Sequence, residues 1–131
     1  MKITTVGLDI AKSAFHLYAV NKMGRYMKKK QLKRKQVLPY LARLEPCVIA
    51  MEACGGANYW AREMKDLGHE VKLIAPQYVK PYVKGNKNDY NDAEAIAEAV
   101  QRPTMRFVPI KSVEQQDIQN VCRWGDWGAN T

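Results

Sequence analysis

Cysteine and histidine are scarce in this chain: Cys47, Cys54 and Cys122, with His16 and His69, in 131 residues. An odd, widely spaced cysteine set offers neither a disulfide framework nor a zinc site. Both histidines lack a second ligand at metal spacing and are read as structural or solvent-facing. The two serines, Ser13 and Ser112, have no His–Asp arrangement nearby, which argues against a serine nucleophile. No apolar run approaches the roughly 18–20 residues of a membrane span. The start, Met1-Lys2-Ile3-Thr4-Thr5-Val6, has no basic-then-apolar secretory pattern. With 47% hydrophobic and 26% charged residues, the composition argues against a disordered tail. The expectation is a basic, soluble, cytoplasmic protein with no membrane partner, long enough for one packed domain.

Acidic residues are missing from one stretch in particular. Between Lys22 and Lys35 there are eight basic residues (Lys22, Arg25, Lys28, Lys29, Lys30, Lys33, Arg34, Lys35) and no acid. Setting those eight aside leaves 13 basic residues against 13 acidic ones, so one segment accounts for the whole net charge of +8. A second acid-free stretch, Val71 to Asn88, adds Lys72, Lys80, Lys84 and Lys87. The rest is then net acidic. A polyanion-binding face beside a carboxylate cluster has this distribution, because phosphate contacts supply most non-specific nucleic-acid affinity. A solvated, lysine-rich hairpin has it too. Tyr78, Tyr82 and Tyr90 interleave with Lys80, Lys84 and Lys87, either as a stacking surface for single strands or as ties between loop and core.

Thr4 to Ile10 reads as a buried strand, Ser13 to Val20 as a second, and Arg25 to Leu32 as a third, very basic one after the turn Asn21-Lys22-Met23-Gly24. Val37, Leu38, Leu41 and Leu44 recur at helical spacing. Cys47 to Met51, closed by Glu52, suits a buried parallel strand. Gly55-Gly56-Ala57-Asn58 opens a helix through Trp60, a core residue, stopped by Gly68. Gly55-Gly56 is a tight turn or a phosphate approach at that helix start. A strand from Glu70 to Ala75, a basic loop from Pro76 to Asn88 and a helix from Asp89 to Arg102 follow. Phe107-Val108 is a short extended piece, and Ser112 to Gln115 resembles a capping box. This order predicts an α/β fold: a mixed sheet of three antiparallel N-terminal strands, then alternating helices and parallel strands. It matches the ribonuclease H-like layout and, less well, the first half of an actin-like kinase or ATPase. For the latter, Ile10-Ala11-Lys12-Ser13 stands where a glycine-rich phosphate loop belongs.

Four acids stand out by position. Asp9 and Glu52 each end an apolar strand, at the sheet edge where sites gather. Asp89 and Asp92, three apart at a predicted helix start, share a face. If that helix packs beside the first strand, all four converge into a set of oxygen ligands suited to Mg²⁺ or Mn²⁺, the arrangement used for metal-assisted phosphoryl transfer. Each also has a plain role: Asp89 as helix cap, Asp92 facing the helix dipole, Glu52 as cap of the following helix. Asp9, behind Val6-Gly7-Leu8, requires a partner or a metal to offset its desolvation.

Three blocks carry a resemblance: Val6-Gly7-Leu8-Asp9-Ile10-Ala11-Lys12, Met51-Glu52-Ala53-Cys54-Gly55 and Lys87-Asn88-Asp89-Tyr90-Asn91-Asp92-Ala93. They resemble the three acidic blocks of the DEDD transposases, the insertion-sequence recombinases of the 110 type, from the first strand to about Gln119. The resemblance implies an N-terminal RuvC-like domain over residues 1–110, with 111–131 beginning a helical, coiled-coil connection that ends in a divergent tail. It implies that Asp9, Glu52, Asp89 and Asp92 bind divalent metal and carry the catalysis. It implies DNA as substrate, a structured non-coding RNA as partner and a homo-oligomer. Lys28, Lys29, Lys30, Lys33, Arg34, Lys35, Lys80, Lys84 and Lys87 are the expected nucleic-acid contacts. Cys54 stands where such proteins usually carry Ser or Thr, and the family's C-terminal serine domain is not in this sequence. A truncated, non-catalytic nucleic-acid-binding module is therefore the alternative to an enzyme domain.

Overall fold

A computed structural model describes residues 2–11, 14–85 and 88–111. Strands β1 (Thr5–Ile10), β2 (Phe15–Val20) and β3 (Tyr26–Leu32) come first. Helix α1 (Val37–Ala42), strand β4 (Val48–Glu52), helix α2 (Ala57–Asp66) and strand β5 (Glu70–Ile74) alternate after them, and helices α3 (Pro76–Val79) and α4 (Asn91–Val100) follow. The five strands form one sheet in the order β3-β2-β1-β4-β5. β1 pairs antiparallel with β2, and β2 with β3, whereas β1–β4 and β4–β5 are parallel. The ends of β1, β3 and β4 therefore emerge along one edge. Among the described residues no helix is long and apolar enough to cross a membrane.

Side chains alternate across a pleated sheet, so each strand divides its residues between two layers. Val6, Leu8, Phe15, Leu17, Ile49 and Met51 bury one face against Val37 and Leu41 of α1 and Ala61 and Met64 of α2. The opposite face carries Gly7 and Ala50, and α4 lies on it through alanines and Ile96. Small residues on both partners permit this close approach: a Cβ added to Gly7 would stand 2.6 Å from the Ala97 nitrogen and 2.9 Å from its Cβ. Asp9 and Glu52 share the parity of Gly7 and Ala50, which puts them on the α4 side.

Turn chemistry joins the elements as the sequence predicts. The Asn21 Oδ1 accepts from the N–H groups of Met23 and Arg25, and Gly24 takes the left-handed conformation. Gly68 does the same after α2, at φ +98°. The stretch predicted as a loop after β5 is instead partly helical. Pro76 at the first helical position starts α3, and a 3₁₀ turn follows at Lys80–Tyr82. Proline fixes φ near the helical value and lacks the N–H that a helix start would leave unpaired. The last helix also begins later than predicted. The Asn88 Oδ1 accepts from the Tyr90 N–H at 2.8 Å and its carbonyl from the Asn91 N–H at 3.1 Å, a local turn that holds Asp89 ahead of α4. Val108 bridges Leu73 of β5, in keeping with the predicted extended piece. The capping box at Ser112 and the rest of segment 112–131 lie outside the described residues, as do Ser13 and Lys87.

Candidate functional site

Two of the four predicted acids, Asp9 and Glu52, feel the charge of a third, Asp92. Burial raises the Asp9 carboxyl above its ordinary value, the charge of Asp92 raises it further, and His16 offsets part of this. Glu52 is raised by burial first, then by Asp92 and Asp9, with Lys80 opposing. The arrangement follows from the fold: Asp9 ends β1, Glu52 ends the parallel neighbour β4, and Asp92 occupies the first turn of the helix that Gly7 admits. Asp89 is exposed in the preceding turn and is not among the charges acting on Asp9 or Glu52.

Oxygen donors that repel one another at a half-buried sheet edge suit a hard divalent cation chemically. Among the described residues, however, no three His, Cys, Asp or Glu side chains stand close enough to form a preformed metal cage. Cys54 follows Glu52 in the next loop. Its thiol is raised by burial, against hydrogen bonds from the Gly56 and Ala57 backbone, so it stays protonated.

His16 and Tyr90 join this site, although the sequence alone marks the first as structural and leaves the second open. The register of β1 and β2 sets His16 directly opposite Asp9. Its Nδ1 is buried without a hydrogen-bond partner, and its ring meets the edge of Tyr90 at 5.1 Å. Lys29 of β3 reaches over the Tyr90 ring, 5.0 Å from its centroid. A signal for His16 exists in the strand register: an antiparallel pair that sets Ile10 opposite Phe15 must set Asp9 opposite His16. His69 is buried and structural, as expected, accepting from the Cys47 N–H at 3.2 Å through Nδ1 and bonding the Leu41 carbonyl at 2.8 Å through Nε2.

The basic residues flank the acids on both sides. Lys28 and Lys30 lie 5.6 and 5.7 Å from the Tyr40 ring on the α1 side of β3, whereas Lys29 turns to the α4 side. Lys33, Arg34 and Lys35 leave β3 at the edge where Asp9 and Glu52 emerge. Lys80 acts electrostatically on Glu52 across the site, and Lys84 is exposed beyond it. Among the described residues the ion pairs are Lys2–Glu45 at 3.5 Å and Lys72–Glu70 at 3.1 Å. Neither involves a residue of the basic segment.

Comparison with known proteins agrees with this architecture. Two Thermus thermophilus RuvC structures superpose on the chain: one in complex with a Holliday junction substrate, at TM-score 0.56 and 16% identity, the other at 0.59 and 15%. They cover 81% and 79% of this chain, and 99% of each RuvC chain is matched. At that identity the likeness establishes a RuvC-like, ribonuclease H-like fold. A probable family 20 transposase of Pseudomonas aeruginosa is 54% identical over 94% of the chain. The transposase for insertion sequence element IS1328 of Yersinia enterocolitica is 45% identical over 95%. The matched part is 36% and 37% of those two proteins, so the chain spans about a third of the length of these curated relatives. The profile of the IS110-type DEDD family, described as a transposase, matches residues 6–126. With the RuvC-like sheet, the acids at its edge and this match in agreement, the chain belongs to the IS110-type DEDD transposase family.

Proposed function

We propose that the chain is the divalent-metal-binding, nucleic-acid-binding domain of an insertion-sequence transposase acting in DNA transposition and recombination. The observation that carries this reading is the convergence of Asp9 at the end of β1, Glu52 at the end of β4 and Asp92 in the first turn of α4, where the charge of Asp92 bears on both strand-end carboxyls. Asp9, Glu52 and Asp92, joined by Asp89 from the turn ahead of α4, are the ligands for Mg²⁺ or Mn²⁺. A cation held there supplies Lewis acidity toward a phosphodiester of DNA. The protein's own share is orientation: β1 and β4 fix two carboxylates on a rigid sheet, α4 carries the third, and Lys80 and Lys29 bring positive charge to either side for the phosphate backbone. Lys28, Lys30, Lys33, Arg34, Lys35, Lys84 and Lys87 extend that electrostatic track. In this reading residues 1–110 are the RuvC-like domain and 111–131 begin the connection to further domains. A structured RNA partner and self-association belong to the same proposal, as functions of the larger protein.

The test is a thermal melt in excess Mg²⁺ or Mn²⁺. Metal raises the wild-type Tm, and Asp9→Ala and Asp92→Ala each abolish the rise. An unchanged wild-type melt overturns the metal reading. One observation favours a second reading, a non-catalytic module that grips nucleic acid: the absence of a preformed cage among the described residues. Salt-dependent DNA binding that persists without the acids, with no response to metal, selects it.

A further inference from the structure

β3 runs parallel to β1 and β4, two strands away from β1, so the chain leaving Leu32 emerges at the edge that carries Asp9 and Glu52. There Lys33, Arg34 and Lys35, with Leu38 of α1 and Tyr59 and Trp60 of α2, line an open notch of about 590 Å³. Its floor is fixed. Trp60 is 4% exposed and packs edge-on against Phe15, ring centroids 4.9 Å apart, in the centre of the core. The Arg34 guanidinium lies over the Trp60 ring at 5.3 Å. Beside them Tyr59 meets Trp60 nearly perpendicularly, at 83°, and is 46% exposed. The notch thus offers an accessible aromatic ring on a rigid helix, a guanidinium plane held in place, and two free lysines.

Tyr59 is exposed and Leu38 half-buried at the notch, so an apolar surface with a flat ring is available to a ligand there. The surrounding charge selects what that is. Lys33, Arg34 and Lys35 have no acidic neighbour in the segment, which disfavours a basic ligand and favours a polyanion. A paired base inside a duplex has both faces covered by its neighbours; only an unpaired base presents a flat face to an aromatic ring.

We propose that this notch holds an unpaired base of a single-stranded DNA segment, with Tyr59 as the stacking platform and Lys33 and Lys35 on the flanking phosphates. The inference rests on the nucleic-acid-binding function proposed for the chain and sharpens it. The notch opens on the α1–α2 face of the sheet, at the edge where Asp9 and Glu52 emerge on the opposite, α4 face, so DNA seated in it reaches the carboxylates by passing over that edge. Arg34 acts with Tyr59, closing the pocket wall against the base while cation–π contact with Trp60 holds it in place.

The experiment is fluorescence anisotropy with labelled single-stranded DNA, the same strand with an abasic position, single-stranded RNA of the same sequence, and duplex DNA. Tyr59→Ala is expected to weaken single-stranded DNA binding roughly 10- to 100-fold and to leave duplex binding unchanged. Tyr59→Phe keeps wild-type affinity, and the abasic strand narrows the difference between wild type and Tyr59→Ala. Tyr59 is exposed, and an unchanged circular-dichroism melt confirms the fold of each variant. Lys28, Lys29 and Lys30 replaced together by Gln report on general binding. If that triple variant loses affinity while Tyr59→Ala changes nothing, the notch is overturned and the broader reading stands. Equal loss on single strand and duplex also overturns it. A tighter, more Tyr59-dependent interaction with RNA overturns the assignment to DNA. If the wild type binds no nucleic acid at all, both readings fall.

Discussion

Gly7 of β1 and Ala97 of α4 meet backbone to backbone, with no room for a methyl group between them: a Cβ at Gly7 would lie 2.6 Å from the Ala97 nitrogen. This contact brings the first turn of α4, and with it Asp92, down onto the sheet beside Asp9. Gly7 is therefore a determinant of the acidic cluster although it carries no chemistry. Gly7→Ala is expected to destabilise the fold by about 1–3 kcal/mol through overpacking, and to weaken the metal-dependent rise in Tm by lifting α4. A Gly7→Ala variant with wild-type Tm and wild-type metal response would show that the helix is placed by other contacts.

The acids make stability depend on pH in a defined direction. Asp9 and Glu52 both bind protons more tightly in the folded chain than at their ordinary values of 3.8 and 4.5. Folding then favours the protonated forms, so their contribution is fully present below those values and is lost as pH rises through the folded values. At neutral pH, without metal, the ionised cluster works against the fold. Asp9→Asn and Glu52→Gln are each expected to raise Tm at pH 7 in chelator, and the gain should shrink toward pH 4. Melts across that range decide it; a gain of constant size, or a loss at pH 7, rules out burial and mutual repulsion of the carboxylates as its cause.

How much of this is written in the chain depends on which interaction sets each feature. The hairpins, the alternation and the carboxylates at strand ends are local: period-two burial, Asn21 with Gly24, and an acid closing an apolar run all lie within a few residues. The β3-β2-β1 part of the strand order follows from them, whereas the parallel pairing of β1 with β4 sets Thr5 opposite Val48 across a crossover. The close approach at Gly7 is not local, because it depends on α4 some ninety residues later. α4 starts later than its sequence pattern predicts because Asn88 competes for the first N–H groups, and that competition decides whether Asp89 shares a helical face with Asp92. His16 by itself reads as structural; pairing with Asp9 gives it a place at the site. Tyr59 carries no motif, and only the return of β3 to the carboxylate edge sets it among basic residues.

His69 fastens three elements with one ring. Nδ1 accepts from the Cys47 N–H ahead of β4, which fixes the proton on Nε2, and Nε2 donates to the Leu41 carbonyl of α1. His69→Leu keeps volume but orphans the buried Cys47 N–H, at a cost of about 1–3 kcal/mol, and leaves the Leu41 carbonyl with the Leu44 N–H at 3.2 Å as its partner. The variant is expected to unfold at lower urea with an unchanged m-value, and metal and DNA binding by the folded fraction should be untouched. A stability loss below about 1 kcal/mol would mean that water replaces the ring at the Cys47 N–H.

The basic strand gives the most discriminating measurement on nucleic acid, because its charges are divided between two faces. Lys29 turns toward Tyr90 and the carboxylates; Lys28 and Lys30 turn toward Tyr40. As the edge strand of the sheet, β3 is open to a polyanion that wraps it from both sides. For duplex DNA each lost phosphate contact flattens the dependence of log K on log salt by about 0.9. Replacing all three lysines by Gln is expected to reduce that slope by about 3, with Lys29→Gln alone accounting for about 1. If Lys29→Gln takes the whole effect, the nucleic acid runs only along the carboxylate face. If it takes none, the basic strand and the acidic edge serve different ligands, and the proposed track from Lys29 to the carboxylates is wrong.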